Sequence, residues 1–453
     1  MSFVPHTEAD IQEMLAAIGV KTIDDLFEPI PKAVRVKELS NIPSPLSERE
    51  AFAELYTLAE ENLPLTAEIS FLGGGPMRMY RPAVLQTIVS RSEFITSYTP
   101  YQAEISQGLL QAIYEYQTMV CRLLMMDASN ASSYDGGTAA ADALVMTKDN
   151  FRGKRNTILV AQNIHPEIRQ VMQTYNLGIE MNWVDIPALD NGRINFSACE
   201  EKLNDDVAAV FLTYPTCYGV IEDLTPQGLP KLIESIHKVG ALAVAVVNPI
   251  ACAALKPPGE LGFDIAVAEG QPLGIPLSFG GPYLGIFAAK KHLLHKMPGR
   301  ISGKTVDIEG RTGYILTLQA REQHIRRERA TSNICSNQSL CALTAAIFMA
   351  YYGKRGLPAL AKKIMALTQY AKRKISSETS CSLVHQGVPH FNEFVIKCPK
   401  PASEVNLILL EKGIIGGLPL DQWGEDPHLM LLGITDENSF EHIDLLTEVL
   451  GEI

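Results

Sequence analysis

Apolar and polar positions change rhythm along this chain, and the changes mark its elements. From residue 135 onward, short runs rich in valine, isoleucine and alanine alternate with stretches in which apolar residues recur every three or four positions. Runs of the first kind predict strands at Thr157–Ala161 and at 208–213, 241–247, 265–268 and 283–288. The periodic stretches predict helices, including 166–175 and 229–239. Strands that are apolar on both faces and separated by amphipathic helices form a parallel or mostly parallel sheet covered on both sides, so an α/β core is expected.

Upstream, Thr7 and Asp10 stand at capping-box spacing before Ile11, Met14, Leu15 and Ile18, one apolar face that Gly19 ends. Pro29, Pro31, Pro43 and Pro45 then mark an extended connection. Over 103–126, Ile105, Leu109, Ile113, Tyr116 and Val120 fall on one side of a long helix. Beyond a helical stretch at 339–363, a strand is expected at 391–397, a helix at 403–412, a strand at Leu429–Gly433 and a last helix at 439–450. The expected organisation is a helical and extended arm over 1–70, a large α/β domain over 71–375 and a small α+β domain over 376–453.

Composition narrows the function. A chain of 453 residues, 46% hydrophobic and 20% charged, has ample apolar surface for a large core. Its formal charge of −12 opposes nucleic acid and anionic membranes, because both bind proteins largely through Lys and Arg. The eight cysteines are scattered, with no CxxC pair and no histidine at ligand spacing, so reduced thiols and no metal site are expected. The most apolar run, 241–255, is shorter than the ~20 residues of a membrane helix and is interrupted by Asn248 and Pro249. The first residues have neither a basic start nor an apolar core, so no secretory signal and a cytoplasmic location are expected.

Four segments carry groups suited to chemistry. Tyr134-Asp-Gly-Gly-Thr138 precedes an alanine-rich helical run, and Gly136, Gly137 and Thr138 could form a phosphate turn or merely a capped helix start. Residues 244–252 and 269–282 resemble, in outline, two segments of fold-type I pyridoxal-phosphate enzymes, which carry an Asp for the ring nitrogen and a lysine that bonds the cofactor. Here Asn248 stands at the Asp position and Gln271 at the lysine position. Glutamine forms no imine, and neutral asparagine does not hold the ring nitrogen protonated, so no covalently held cofactor is expected on this chain. Residues 90–108 mix hydroxyls, amides and Glu104, suiting either a surface loop or a polar site. Arg321, His324, Arg326, Arg327 and Arg329 could grip an anion, although interleaved Glu322 and Glu328 favour a solvated helix face.

Several long stretches point further: Pro5-His-Thr-Glu-Ala-Asp10, Phe71-Leu-Gly-Gly-Gly75, Ser92-Glu-Phe94, Thr99-Pro-Tyr-Gln102, Glu104-Ile-Ser-Gln-Gly108, Tyr134 to Thr138, Pro276 to Pro282, Met297-Pro-Gly-Arg300 and Arg321 to Asn337. In these the chain resembles the N-terminal half of glycine decarboxylase, the P-protein of the glycine cleavage system, which many bacteria split into two chains. The resemblance implies a fold-type I pyridoxal-phosphate transferase fold, with a mostly parallel seven-stranded-type sheet. It implies glycine dehydrogenase (aminomethyl-transferring) activity in a complex with subunit 2, which carries pyridoxal phosphate on its own lysine. Glycine loses CO2 there, and the aminomethyl group passes to the lipoyl arm of H-protein; T-protein and L-protein complete the system. Such a pair is a heterodimer or a heterotetramer with a large interface. Thr99, Tyr101, Gln102, Glu104, Gly280, Gly281, Arg321 and His324 are then candidates to face the partner's cofactor or the lipoyl channel, and Gly136, Gly137 and Thr138 a vestigial phosphate turn. Two alternatives remain: a pyridoxal-phosphate enzyme using Lys256 or Lys290, and a non-catalytic scaffold that stabilises subunit 2 and recruits H-protein.

Overall fold

In a computed structural model, residues 5–36, 41–62, 69–97 and 100–453 are described. The chain divides into two compact units, Met1–Pro64 and Leu65–Ile453. The first contains α1 (Glu8–Ile18), short 3-10 turns at Ile23–Phe27 and Lys32–Val34, and α2 (Glu48–Glu60). The Thr7–Asp10 capping box forms and Gly19 closes α1 in the left-handed region at φ 88°, as its spacing predicts. Of the apolar face only Leu15 is buried, while Met14 and Ile18 are exposed.

The second unit opens with β1 (Ile69–Ser70), α3 (Ala83–Val89), α4 (Ser92–Ile95) and α5 (Gln107–Leu124). Leu109, Ile113, Tyr116 and Val120 of α5 are buried, but Ile105 precedes the helix and is exposed. The main sheet then builds from β2 (Ala128–Ser129), β3 (Thr157–Ala161), β4 (Asn182–Ile186), β5 (Val207–Tyr214), β6 (Leu242–Val247), β7 (Ile265–Glu269) and β8 (Gly285–Ala289). Between them lie α6 (Gly136–Phe151), α7 (Pro166–Ile179), α8 (Phe196–Glu200), α9 (Leu229–Lys238) and α10 (Pro258–Leu261). The strand order is β2-β8-β7-β6-β5-β3-β4: β3 to β7 are parallel, and β8 and β2 close one edge antiparallel. Every residue of β3, β5, β6 and β8 is buried, which is why those strands read as unbroken apolar runs.

The hairpin β9 (Ser302–Val306) and β10 (Thr312–Leu316) follows, then short turns including α11 (Gln323–Arg326), then α12 (Ser339–Glu378). The helix predicted to end at 363 runs on to Glu378, where Ile364, Leu367, Ala371 and Ile375 continue its buried face, and Gly353, at φ 60° and ψ −171°, joins its two arms. The C-terminal strands are β11 (Ser382–Leu383), β12 (Glu393–Lys397), β13 (Ile414–Ile415), β14 (Leu418–Pro419) and β15 (Leu429–Gly433), with α13 (Ala402–Glu411) and α14 (Phe440–Gly451). β12 and β15 pair antiparallel at the centre of a four-stranded sheet, over a second apolar core formed with α12, α13 and α14.

Candidate functional site

A cavity of about 520 Å³ lies at the carboxyl ends of β5, β6 and β7, where parallel α/β sheets commonly take ligands. Thr213, Val246, Val247 and Glu269 reach it from the strands, Asp135, Gly136 and Gly137 from the start of α6, and His165 from the start of α7. Asn248, Gly280, Tyr283 and Glu393 complete its polar wall. The structure therefore brings together Gly136, Gly137, Asn248 and Gly280 from the sequence-derived candidates. The turn is a built N-terminus: Asp135 accepts the Thr138 N–H at 2.7 Å, while the Thr138 hydroxyl accepts the Asp135 N–H at 3.0 Å. Gly280 and Gly281 sit at φ 110° and 139° beside a fully exposed Phe279.

The side chains here do not fit a covalently held pyridoxal phosphate. Gln271 is 1% exposed, and its amide is committed to backbone: Oε1 accepts the Met77 N–H at 3.1 Å, and Nε2 donates to Met77 O at 3.0 Å and Ile275 O at 2.9 Å. Asn248 Oδ1 accepts the N–H groups of Ile250 and Ala251 at 2.9 and 3.2 Å, so it caps its own turn. The first N–H of α6, at Gly136, is bonded to Glu269 Oε2 at 2.8 Å. Among the described residues no lysine lines the cavity. Lys290 Nζ instead donates to the carbonyls of Met125 and Gly259, and Lys256 lies outside the lining, so the reading with either lysine as cofactor holder has no geometry behind it.

A second cluster forms away from that lining. Tyr101 Oη donates to Asn337 Oδ1 at 2.7 Å, and the Arg300 guanidinium lies 4.7 Å from the centroid of the Tyr101 ring. Arg300 pairs with Glu322 and approaches His324 Nδ1 at 3.1 Å. Burial raises the Tyr101 hydroxyl and the Glu322 carboxyl and lowers Arg321 to about 10. Arg321 Nε and Nη2, Glu322 Oε1 and Asn337 Nδ2 are buried without a hydrogen-bond partner. Tyr101, Arg321 and His324 thus converge. Gln102 and Glu104 are exposed, without side-chain partners in this cluster, and Thr99 lies outside the described residues. The expected solvated face holds for His324, Arg326, Arg327, Glu328 and Arg329, which are exposed, but not for Arg321 and Glu322, which are buried, and 319–329 form short turns with Leu318 and Arg327 both at φ 55° rather than one helix.

The model of the glycine cleavage system P-protein family matches residues 1–450. The chain belongs to this family. Its full-length relatives include the probable glycine dehydrogenase (decarboxylating) subunit 1 of Anoxybacillus flavithermus, 46% identical over 99% of this chain and 98% of that one. The protein of the same name from Lysinibacillus sphaericus is 46% identical over 100% and 99%. A crystal structure of glycine decarboxylase (P-protein), in inhibitor-bound form, superposes with a TM-score of 0.88 at 39% identity, covering 100% of both chains. A NifS-like protein at 14% identity, covering 85% of this chain and 98% of that one with a TM-score of 0.62, shares the fold. The resemblance drawn from the sequence and the fold-type I architecture are thereby shown. Within this P-protein fold, Glu269, His165, Glu393, Arg300 and Asn337 escaped the sequence reading as site residues. Arg300 and Asn337 end two of the family-like stretches, a signal that was present. Glu269 opens the segment scanned for a lysine, and only the fold places it against Gly136.

Proposed function

We propose that this chain is the cofactor-free half of a two-chain glycine decarboxylase in the cytoplasm, with pyridoxal phosphate carried by subunit 2 and the lipoyl arm of H-protein entering where the chains meet. The observation that carries this reading is a contrast between two sites. Gln271 and Asn248 spend their hydrogen bonds inside this chain, whereas the Tyr101–Arg300–Glu322–Asn337 cluster keeps buried donors and acceptors unsatisfied. Pyridoxal phosphate supplies the electron sink for loss of CO2 from glycine. This chain's residues shape the pocket beside it: Asn337 fixes the Tyr101 hydroxyl, and Arg300, neutralised by Glu322, holds the ring. In this reading the Gly280-Gly281 turn, Gln102 and Glu104 also face subunit 2, and T-protein and L-protein act later on the aminomethyl carrier.

The test uses the co-purified pair. One pyridoxal phosphate per two chains is expected, released entirely from subunit 2; a borohydride-fixed adduct on a lysine of this chain overturns the reading. Tyr101→Phe removes one neutral hydrogen bond, about 1 kcal/mol, and should slow glycine–bicarbonate exchange about fivefold with the pair intact. The scaffold reading, favoured by the emptied lysine position, instead requires unchanged turnover in that variant.

A further inference from the structure

The start of α6 has the form of an anion cup, with glycines at its first two positions, both of which line the cavity. It is filled from within. Glu269, the last residue of β7, accepts the Gly136 N–H at 2.8 Å through Oε2, and through Oε1 the N–H groups of Gln271 at 2.9 Å and Leu284 at 3.3 Å. Two other segments and the turn that follows Glu269 itself thus converge on one carboxylate, as they would on a bound oxyanion. We propose that the Glu269 carboxylate is a resident substitute for a phosphate group, and that it closes this cavity to phosphate monoesters.

Space and charge both support the assignment. A Cβ built on Gly136 would stand 2.8 Å from the Glu269 nitrogen and 2.9 Å from its Cβ, so the end of β7 lies directly against the cup. Asp135 places a second carboxylate on the same turn, bonded to the Thr138 N–H. Glu167 and Glu393 also line the cavity, whereas no lysine or arginine does among the described residues, so an arriving phosphate meets acids and no compensating cation. The Nε2 of His165 is bonded to Gly74 O at 2.8 Å. Burial pushes the Glu269 carboxyl up to about 7 despite its three N–H partners, the sign expected of a charge held in a site that lacks a cation.

The experiment measures thermal unfolding of the full-length chain while inorganic phosphate replaces chloride, from zero to about 100 mM at constant ionic strength. The wild type should show no phosphate-specific shift. Glu269→Ala should unfold at a lower temperature in chloride and recover several degrees in phosphate, because the three N–H groups regain an anion. Glu269→Ser, whose hydroxyl still satisfies one donor, is the second variant should the first not fold in chloride. Phosphate-specific stabilisation of either variant but not of the wild type supports the proposal. A wild-type shift equal to that of the variants overturns it, as does the absence of any response in both variants, folded or not.

Discussion

Replacing Gln271 with leucine tests whether this buried side chain is a structural joint. The side chain has nearly the same volume, so the change is chiefly the loss of three hydrogen bonds. One buried N–H (Met77) and two carbonyls (Met77 and Ile275) lose their partner. A buried polar group left unpaired costs about 1–3 kcal/mol, and the leucine methyls return about 1–2 kcal/mol through burial. Three such groups cost about 3–9 kcal/mol, so the net loss is about 1–8 kcal/mol, with little of the site open to water at 1% exposure of Gln271. Such a loss should lower the unfolding temperature by several degrees in a thermal melt followed by circular dichroism. Gln271→Glu sharpens the test. Its second oxygen would face the two carbonyls unless protonated, so its deficit should grow from about pH 5 to pH 8, while that of Gln271→Leu stays flat. A leucine variant that melts within a degree of wild type refutes the joint. Gln271→Lys should gain no pyridoxal-phosphate absorbance, because the amine would bond the same carbonyls in a cavity whose cup Glu269 already fills.

The remaining predictions concern the same cavity. Glu269 and Glu393 are each pushed by burial from 4.5 to about 7. Their carboxyls hold protons more tightly folded than unfolded, so stability is full below about pH 4.5 and falls as pH rises through 7, by up to about 3 kcal/mol for Glu269. Melting temperature should therefore decline between about pH 6 and 8, and Glu393→Gln, which keeps an acceptor for the Gly74 N–H, should flatten the slope. Gly136→Ala should destabilise by about 1–3 kcal/mol in the same melts, because its Cβ would stand within 3.0 Å of Glu269 backbone that cannot step aside; an unchanged melting temperature would contradict the close approach.

The strands were legible where burial was total. β3, β5, β6 and β8 lie between covering helices, so every residue reports the same environment and the run reads apolar. β4 was missed because it is the edge strand: Asn182 is exposed and Asp185 is bonded to Arg169, which interrupts the apolar signal. The hairpin β9–β10 was missed for the same reason, with Lys304, Val306 and Thr312 on its surface. At the site, Gln271 and Asn248 stand out in the sequence as departures from the lysine and aspartate that the resemblance leads one to expect. Glu269 was not, because a carboxylate ending a strand acquires its meaning only from Gly136, 133 positions away. The cluster around Tyr101 was half legible, since long verbatim stretches mark Arg321 and Asn337 while their convergence on Arg300 is a product of folding.

The distribution of unsatisfied polar atoms separates a site that has turned inward from one that awaits a partner. A cavity shaped to take an anion would leave backbone donors at the α6 start and around β7 without acceptors from the chain itself, each costing about 1–3 kcal/mol. Much of that capacity is used within the chain: Glu269 takes the N–H groups of Gly136, Gln271 and Leu284, Asn248 takes two of its own turn, and the Gln271 amide is bonded to Met77 and Ile275. By contrast, four of the ten buried side-chain atoms without partners among the described residues belong to Arg321, Glu322 and Asn337. The named groups of the first cavity therefore find partners within the chain, whereas the second cluster retains hydrogen-bonding capacity that a second chain could complete. If the amides and carboxylate of the first site serve the fold, the interaction with subunit 2 should be more sensitive to Arg321→Ala than to Asn248→Ala. Affinities of the two variants for the isolated partner, measured by calorimetry, decide it: a weaker complex for Asn248→Ala than for Arg321→Ala reverses the assignment of the two sites.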